Sequence, residues 1–200
     1  MNRALRSGVE KARFTIPVSV GPLNQPVDTK SFSPKASRAF EKLLRTLSYT
    51  YAKAPHVDRA IAIVEAVKAH LDTTLDFTNV TAFALQQCFD ATGITTPIRR
   101  VSELALDQEL KAQARIIAAC QKTGATRYVN MIGGENLYNA IDFAAAGITL
   151  AFMKANLQPY PQSGYDFIPG LSILDMISHL APDQFAPHLV AAARDANDTM

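Results

Sequence analysis

The chain has 200 residues, 48% of them apolar and 8% aromatic, with no tryptophan. That length suits one domain, the apolar share excludes wholesale disorder, and the core has to be mostly aliphatic. A formal net charge of +2 gives no reason to expect a nucleic-acid or membrane partner.

The charge is unevenly spread. Residues 1–45 carry nine Lys or Arg against three acidic residues, and residues 156–200 carry one Arg against five Asp. A basic front end suits a phosphate-bearing substrate; attraction between oppositely charged ends within the fold is the plainer alternative. The first residues hold no apolar run of the signal-peptide kind, and the longest near-apolar stretch, Phe143 to Met153, is too short to span a bilayer. A cytoplasmic protein with no membrane span is the expectation.

In chain order, Phe14, Ile16, Val18 and Val20 alternate with other residues, which predicts a strand over 13–20, at an edge because Pro17 lacks a donor. Ser33-Pro34 opens a helix carrying Phe40, Leu43, Leu44, Leu47 and Tyr51 on one face, and Pro55 ends it. A second helix covers about 57–71, with Ile61, Val64, Val67 and Leu71 as its stripe. A third runs from Thr78 to Thr92, with Gly93 as its stop. Residues 97–101 then read as a short strand, 110–122 as a helix, 126–130 as a strand, 139–146 as a short helix and 148–152 as a strand. Helices over 171–180 and 182–194 end the chain. The expected fold class is therefore α/β: a small, mainly parallel sheet flanked by helices, with a helical segment around 34–92, in a single domain over 1–200.

In a parallel sheet the loops after the strands share one rim, where ligands bind. Three loops qualify: Ser102-Glu103, Asn130 to Glu135, and Lys154 to Gln162. Gly133-Gly134 follows a strand and precedes a helix, so positive φ and close approach to a phosphate are both open to it. An ordinary tight turn is the alternative, and neither GxGxxG nor a P-loop spacing is present. Tyr160-Pro-Gln162 and Tyr165 to Pro169 form a stiff loop able to cover a pocket. Ser172 and Asp175 stand three apart, as in a capping pair, which argues against Ser172 as a nucleophile. Cys88 and Cys120 lack CxxC spacing and read as buried packing residues. His56, His70, His179 and His188 show no metal-ligand spacing, and nothing selects one of them as a base. No metal or tightly bound cofactor is expected.

The segment from Gly124 to Tyr138 (GATRYVNMIGGENLY), followed by Phe143 to Phe152, Tyr160-Pro-Gln162 and Phe167 to Asp175, resembles the WbqC-like family. Arg13 to Val18 and Tyr51 to Pro55 fit it as well, so the likeness spans nearly the whole chain. The resemblance implies a place in bacterial O-antigen and related surface-polysaccharide synthesis, with a glycine- or aminoacyl-transferase role on a nucleotide-activated sugar. A non-catalytic binding or assembly role beside the pathway's enzymes is the competing implication. By position it points to Asn2, Arg3, Tyr128, Gly133, Gly134, Tyr138, Gln162, Pro169, Ser172 and Asp175. Together with Asn130, Glu135 and Lys154 from the rim loops, and Arg13 as a weaker charge contact, these form the expected substrate-binding set. No catalytic residue carries over. Family members usually begin with a further strand and a proline- and aromatic-rich turn. This chain starts after that segment, so a late-called start or a natural truncation, which would leave an inactive member, is a further expectation.

Overall fold

Three amphipathic helices build the larger part of the core. The computed structural model describes residues 4–8, 10–22, 24–155, 157–189 and the backbone of 193–195. Helix α1, Ala36–Thr50, buries Ala36, Phe40, Leu43 and Leu47 along one face, and Tyr51 follows them into the interior. Helix α2, Val57–Thr73, buries Ala60, Ile63, Val64, Val67 and Leu71. At about 1.5–3 kcal/mol per fully buried aliphatic side chain, such stripes are the main reason these helices pack. Helix α3, Phe77–Thr92, starts where Asp76 accepts from the Asn79 amide (2.6 Å) and stops at Gly93, whose φ of 72° a side chain would resist. The helical segment expected over 34–92 is present.

The chain divides into two compact units. Unit 1 is Met1–Ile98 with Leu157–His188, and unit 2 is Arg99–Asn156 with Leu189–Met200. In unit 1, strands β1 (Ala4–Ser7) and β2 (Glu10–Arg13) pair antiparallel in the register Ala4 to Arg13 and Ser7 to Glu10. Gly8, at φ 61°, opens the connection. Helix α6, Ile173–His179, packs on α2, α3 and β1. Between these helices lies an apolar cavity of about 300 Å³, walled by Phe14, Phe40, Val67, Val80, Cys88 and Leu174 among others.

In unit 2, helix α4 (Ala112–Thr123) ends at Gly124, where the Ala125 amide donates to the Cys120 carbonyl (2.9 Å). Strand β3 (Arg127–Met131) runs parallel to β4 (Thr149–Met153), Tyr128 beside Leu150 and Asn130 beside Phe152, with helix α5 (Ala140–Ala145) in the connection. Cys120, Phe143, Ile148, Leu150 and Phe152 form its core. Both cysteines are free and buried, as packing residues should be. Burial pushes the Cys88 thiol up to about 11.

The sheet is less parallel than expected. Strand β5 (Ala193–Asp195) pairs antiparallel with β4, so one pair of three strands is parallel and the other is not. The fold is mixed and broadly α/β. The helix expected over 182–194 is a single 3-10 turn, Pro182–Gln184, followed by α7, Ala186–Leu189. Two expected strands are missing. Residues 14–20 form one isolated bridge, Val18 to Phe32, because Pro17 offers no donor and only its carbonyl is engaged, by the Ser33 amide (3.0 Å). Phe14 and Ile16 still turn inward, while Val20 stands in solvent. Residues 97–100 have no partner strand among the described residues. From Val101 to Leu104 the backbone curls into a 3-10 turn, and Arg100 pairs there with Glu103 (2.7 Å). No helix among the described residues is long and apolar enough to cross a membrane.

Candidate functional site

A buried polar cluster of unit 1 surrounds α6. Ser172 caps this helix, its hydroxyl accepting from the Leu174 amide (3.4 Å), as the Ser172/Asp175 spacing predicts. Asp175 does not complete a capping pair. It sits one turn in, with its carboxylate wholly buried. One oxygen accepts from the Tyr51 hydroxyl (2.7 Å), the other from the Tyr160 hydroxyl (2.7 Å) and from Gln162 Nε2 (2.9 Å). Three neutral donors thus hold a buried carboxylate. In return, burial first and the Asp175 charge second push both phenols above their ordinary range, so Tyr51 and Tyr160 remain hydroxyl donors.

Arg6 extends the network. Its guanidinium is buried and donates through Nη2 to Gln162 Oε1 (2.6 Å) and to the Asp166 carbonyl, and through Nη1 to the Gly8 carbonyl (2.9 Å). Its backbone amide donates to the Tyr51 hydroxyl (2.8 Å). Arg6 lies over the exposed ring of Tyr165, 5.0 Å from its centre. Its Nε–H is buried, with no hydrogen-bond partner among the described residues. Gln162 therefore bridges a buried cation and a buried anion, and also accepts from the Ile168 amide (2.8 Å). The result ties the start of the chain to the 160–169 loop, and Lys11 Nζ adds a bond to the Pro169 carbonyl (2.6 Å).

His179 closes the far end of α6. Its Nδ1 lies 2.8 Å from the Asp175 carbonyl oxygen, which can only accept. Nδ1 therefore carries the proton, and in the neutral ring Nε2 accepts from the Ser163 hydroxyl (2.8 Å). The Asp175 carboxylate stands 3.7 Å from the same Nδ1. Tyr51 and Tyr160 pack near the imidazole, at 5.7 and 6.4 Å between ring centres.

In unit 2 the glycine loop behaves differently from its sequence expectation. Ile132–Leu137 is a 3-10 turn, and neither Gly133 nor Gly134 adopts positive φ. What favours glycine is space at position 134, where a Cβ would come within 2.6 Å of Asn130 Nδ2 and the amide would have to shift; at 133 a Cβ would meet nothing. The nearby helix start is occupied by the protein itself, because Asn139 Oδ1 accepts from the Ile141 amide (2.9 Å). Tyr128 stacks on Phe143 (5.5 Å, 10°), and Tyr138 meets both rings edge-on. Burial, then the Tyr138 hydroxyl 3.4 Å away, pushes the Tyr128 phenol above its ordinary range.

The sequence model of the WbqC-like protein family matches residues 1–186. The chain belongs to the WbqC-like protein family. Among curated proteins and solved structures, none matches it.

The expected substrate-binding residues, from the WbqC-like pattern and from the rim loops together, fall into two groups. Tyr128, Asn130, Gly133, Gly134, Glu135 and Tyr138 lie in unit 2 with Lys154; Gln162, Pro169, Ser172 and Asp175 lie in unit 1. Gln162 and Asp175 are in direct contact, and Ser172 begins their helix. Asn2 and Arg3 fall outside the described residues. Arg13 is exposed at the end of β2. Sequence reasoning missed Arg6, Tyr51, Ser163 and His179. Only Tyr51 gave a signal, as an aromatic on the buried face of α1 whose hydroxyl needed a partner.

Proposed function

We propose that this WbqC-like protein is a transferase of bacterial surface-polysaccharide (O-antigen) biosynthesis that moves an aminoacyl or glycyl group onto a nucleotide-activated sugar in the cytoplasm. One observation carries the reading. Family-pattern residues Gln162, Ser172 and Asp175 converge with a buried guanidinium beneath an exposed aromatic loop. Arg6 places a buried positive charge beneath the exposed ring of Tyr165, a setting that suits an anionic, ring-bearing ligand on the loop. Gln162, Ser172 and Asp175 are themselves buried. Their role is to position the 160–169 loop, while Tyr165 and the loop backbone touch the ligand. In unit 2 the exposed Gly133, Glu135 and Lys154, with the half-buried Tyr128, Asn130, Gly134 and Tyr138, form the second sugar- or phosphate-contacting surface.

A calorimetric screen of nucleotide sugars against the full chain tests this. At least one should bind saturably and lose affinity in Arg6→Met; silence across the panel from a folded protein sinks the reading.

A second reading is favoured by a different observation. Val129, Met131, Ile132, Leu137 and Ile141 are all exposed in unit 2, more apolar surface than a solvated loop region needs. A non-catalytic binding or assembly protein would use that surface to hold a polysaccharide-pathway enzyme. Pull-down of one such enzyme, with no small-molecule binding, would favour it over the transferase.

A further inference from the structure

We infer that Ser163 and His179 form a nucleophile and general base for acyl transfer, and that the group passes through an acyl-Ser163 intermediate. The inference rests on the transferase reading and names its reacting atoms and its donor class, an activated acyl ester or thioester.

Four features converge. Ser163 Oγ lies 2.8 Å from His179 Nε2, within reach for proton abstraction. The Asp175 carbonyl at 2.8 Å fixes the proton on Nδ1, so Nε2 is the basic nitrogen facing the hydroxyl. The buried Asp175 carboxylate, 3.7 Å from Nδ1, faces the positive charge that develops when His179 takes the proton. Finally, Ser163 sits at φ 53°, left-handed backbone that a serine resists, in a turn whose next residue is Gly164 at φ 79°. The Tyr165 amide donates to the Gln162 carbonyl (3.2 Å) and closes that turn. Ser163 is half-buried there, while His179 stays buried near Tyr51 and Tyr160. A half-exposed nucleophile on a strained turn, backed by a shielded base, suits covalent acyl transfer.

In the first step, Ser163 Oγ attacks the acyl carbon of the donor. The Oγ–C bond forms, the bond from carbon to the donor's oxygen or sulfur breaks, and the Oγ proton passes to His179 Nε2 and on to the leaving group. In the second, an amine or hydroxyl of the acceptor attacks the acyl-serine. Its proton passes to Nε2 and then to Ser163 Oγ as the ester bond breaks.

The test is labelling of the intact full chain by a fluorophosphonate, read by mass spectrometry, alongside p-nitrophenyl acetate turnover. The expected result is a single adduct, on Ser163, and a stoichiometric burst of nitrophenol. Both should be lost in Ser163→Ala, and slowed roughly a hundredfold or more in His179→Asn. A thermal-unfolding midpoint of Ser163→Ala close to wild type shows that the loss is of the nucleophile and not of the fold. A folded wild-type chain that gives no adduct, or an adduct elsewhere, overturns the inference whether or not His179→Asn folds. Sugar binding without Ser163 labelling rejects the dyad and leaves the transferase reading standing; labelling without sugar binding does the reverse.

Discussion

The two units bury tyrosines in opposite ways. In unit 1, Tyr51 and Tyr160 donate to a buried carboxylate, and the same carboxylate collects Gln162, which in turn holds Arg6. In unit 2, Tyr128 and Tyr138 pack by their faces and edges around Phe143, and their hydroxyls share only a long contact of 3.4 Å. The first arrangement is directional and depends on every member being present. The second is mainly apolar and tolerates loss of a hydroxyl. Polar networks in a low-dielectric interior specify one geometry, and they fail together when one acceptor is removed.

The strongest way to break this contrast is Asp175→Ala. It leaves two hydroxyls and one amide without their acceptor, and it should cost roughly 3–5 kcal/mol in urea unfolding. Tyr138→Phe in unit 2 should stay within about 1 kcal/mol of wild type by the same measurement. Similar losses for both variants would dissolve the distinction.

Alkaline pH offers a milder test. Tyr51 and Tyr160 have phenols raised above the ordinary value of 10.0 by burial and by Asp175. Below pH 10 both are protonated in the folded and the unfolded chain, so stability does not change on their account. Above it the unfolded chain loses these protons while the folded one keeps them. Stability should then fall with rising pH, by up to about 1.4 kcal/mol per pH unit for each phenol. Denaturation series between pH 9 and 11 should show the fall, and Tyr51→Phe should flatten it; an unchanged slope in that variant would remove Tyr51 from the network.

The smallest effect sharpens the picture of unit 2. Gly134→Ala brings a methyl against Asn130 and should cost about 1 kcal/mol. Asn130→Ala in the same chain should recover most of that loss. Gly133→Ala meets nothing and should be neutral or stabilising by a few tenths of a kcal/mol. Thermal unfolding of the four proteins reads the coupling directly, and equal costs at 133 and 134 would show that backbone conformation, not space, governs the pair.

Helices α1, α2 and α3 were legible because their signals are local: apolar stripes at helical spacing, and Gly93 at a stop; the start read at Ser33-Pro34 falls short of α1, which begins at Ala36 after Lys35. The Ser172 cap and the parallel β3–β4 pair were legible for the same reason. The strands expected at 13–20 and 97–101 show the limit. Alternation says a segment can pair, but a partner has to be found elsewhere in the chain, and neither segment has a full one. The site was harder still. Arg6 meets Gln162 across 156 positions and Tyr51 meets Asp175 across 124, and no short spacing encodes either meeting. Ser163 and His179 are 16 apart, separated by a loop and a cap, so nothing marked one of four histidines over the others.

Unit 1 is assembled from the early and late parts of the chain, and this has a consequence for its synthesis. Arg6 leaves the ribosome long before Gln162 exists. At about 5–20 residues per second, 156 residues correspond to roughly 8–30 s of translation. Throughout that interval the apolar faces of α1, α2 and α3 wait without α6, and the Arg6 guanidinium waits without its acceptors. Unit 2 is translated meanwhile, with its parallel pair separated by only a short connection. A nascent chain of this kind invites chaperone binding until residues 157–188 emerge, and a slow folding step should follow, as long-range closure implies.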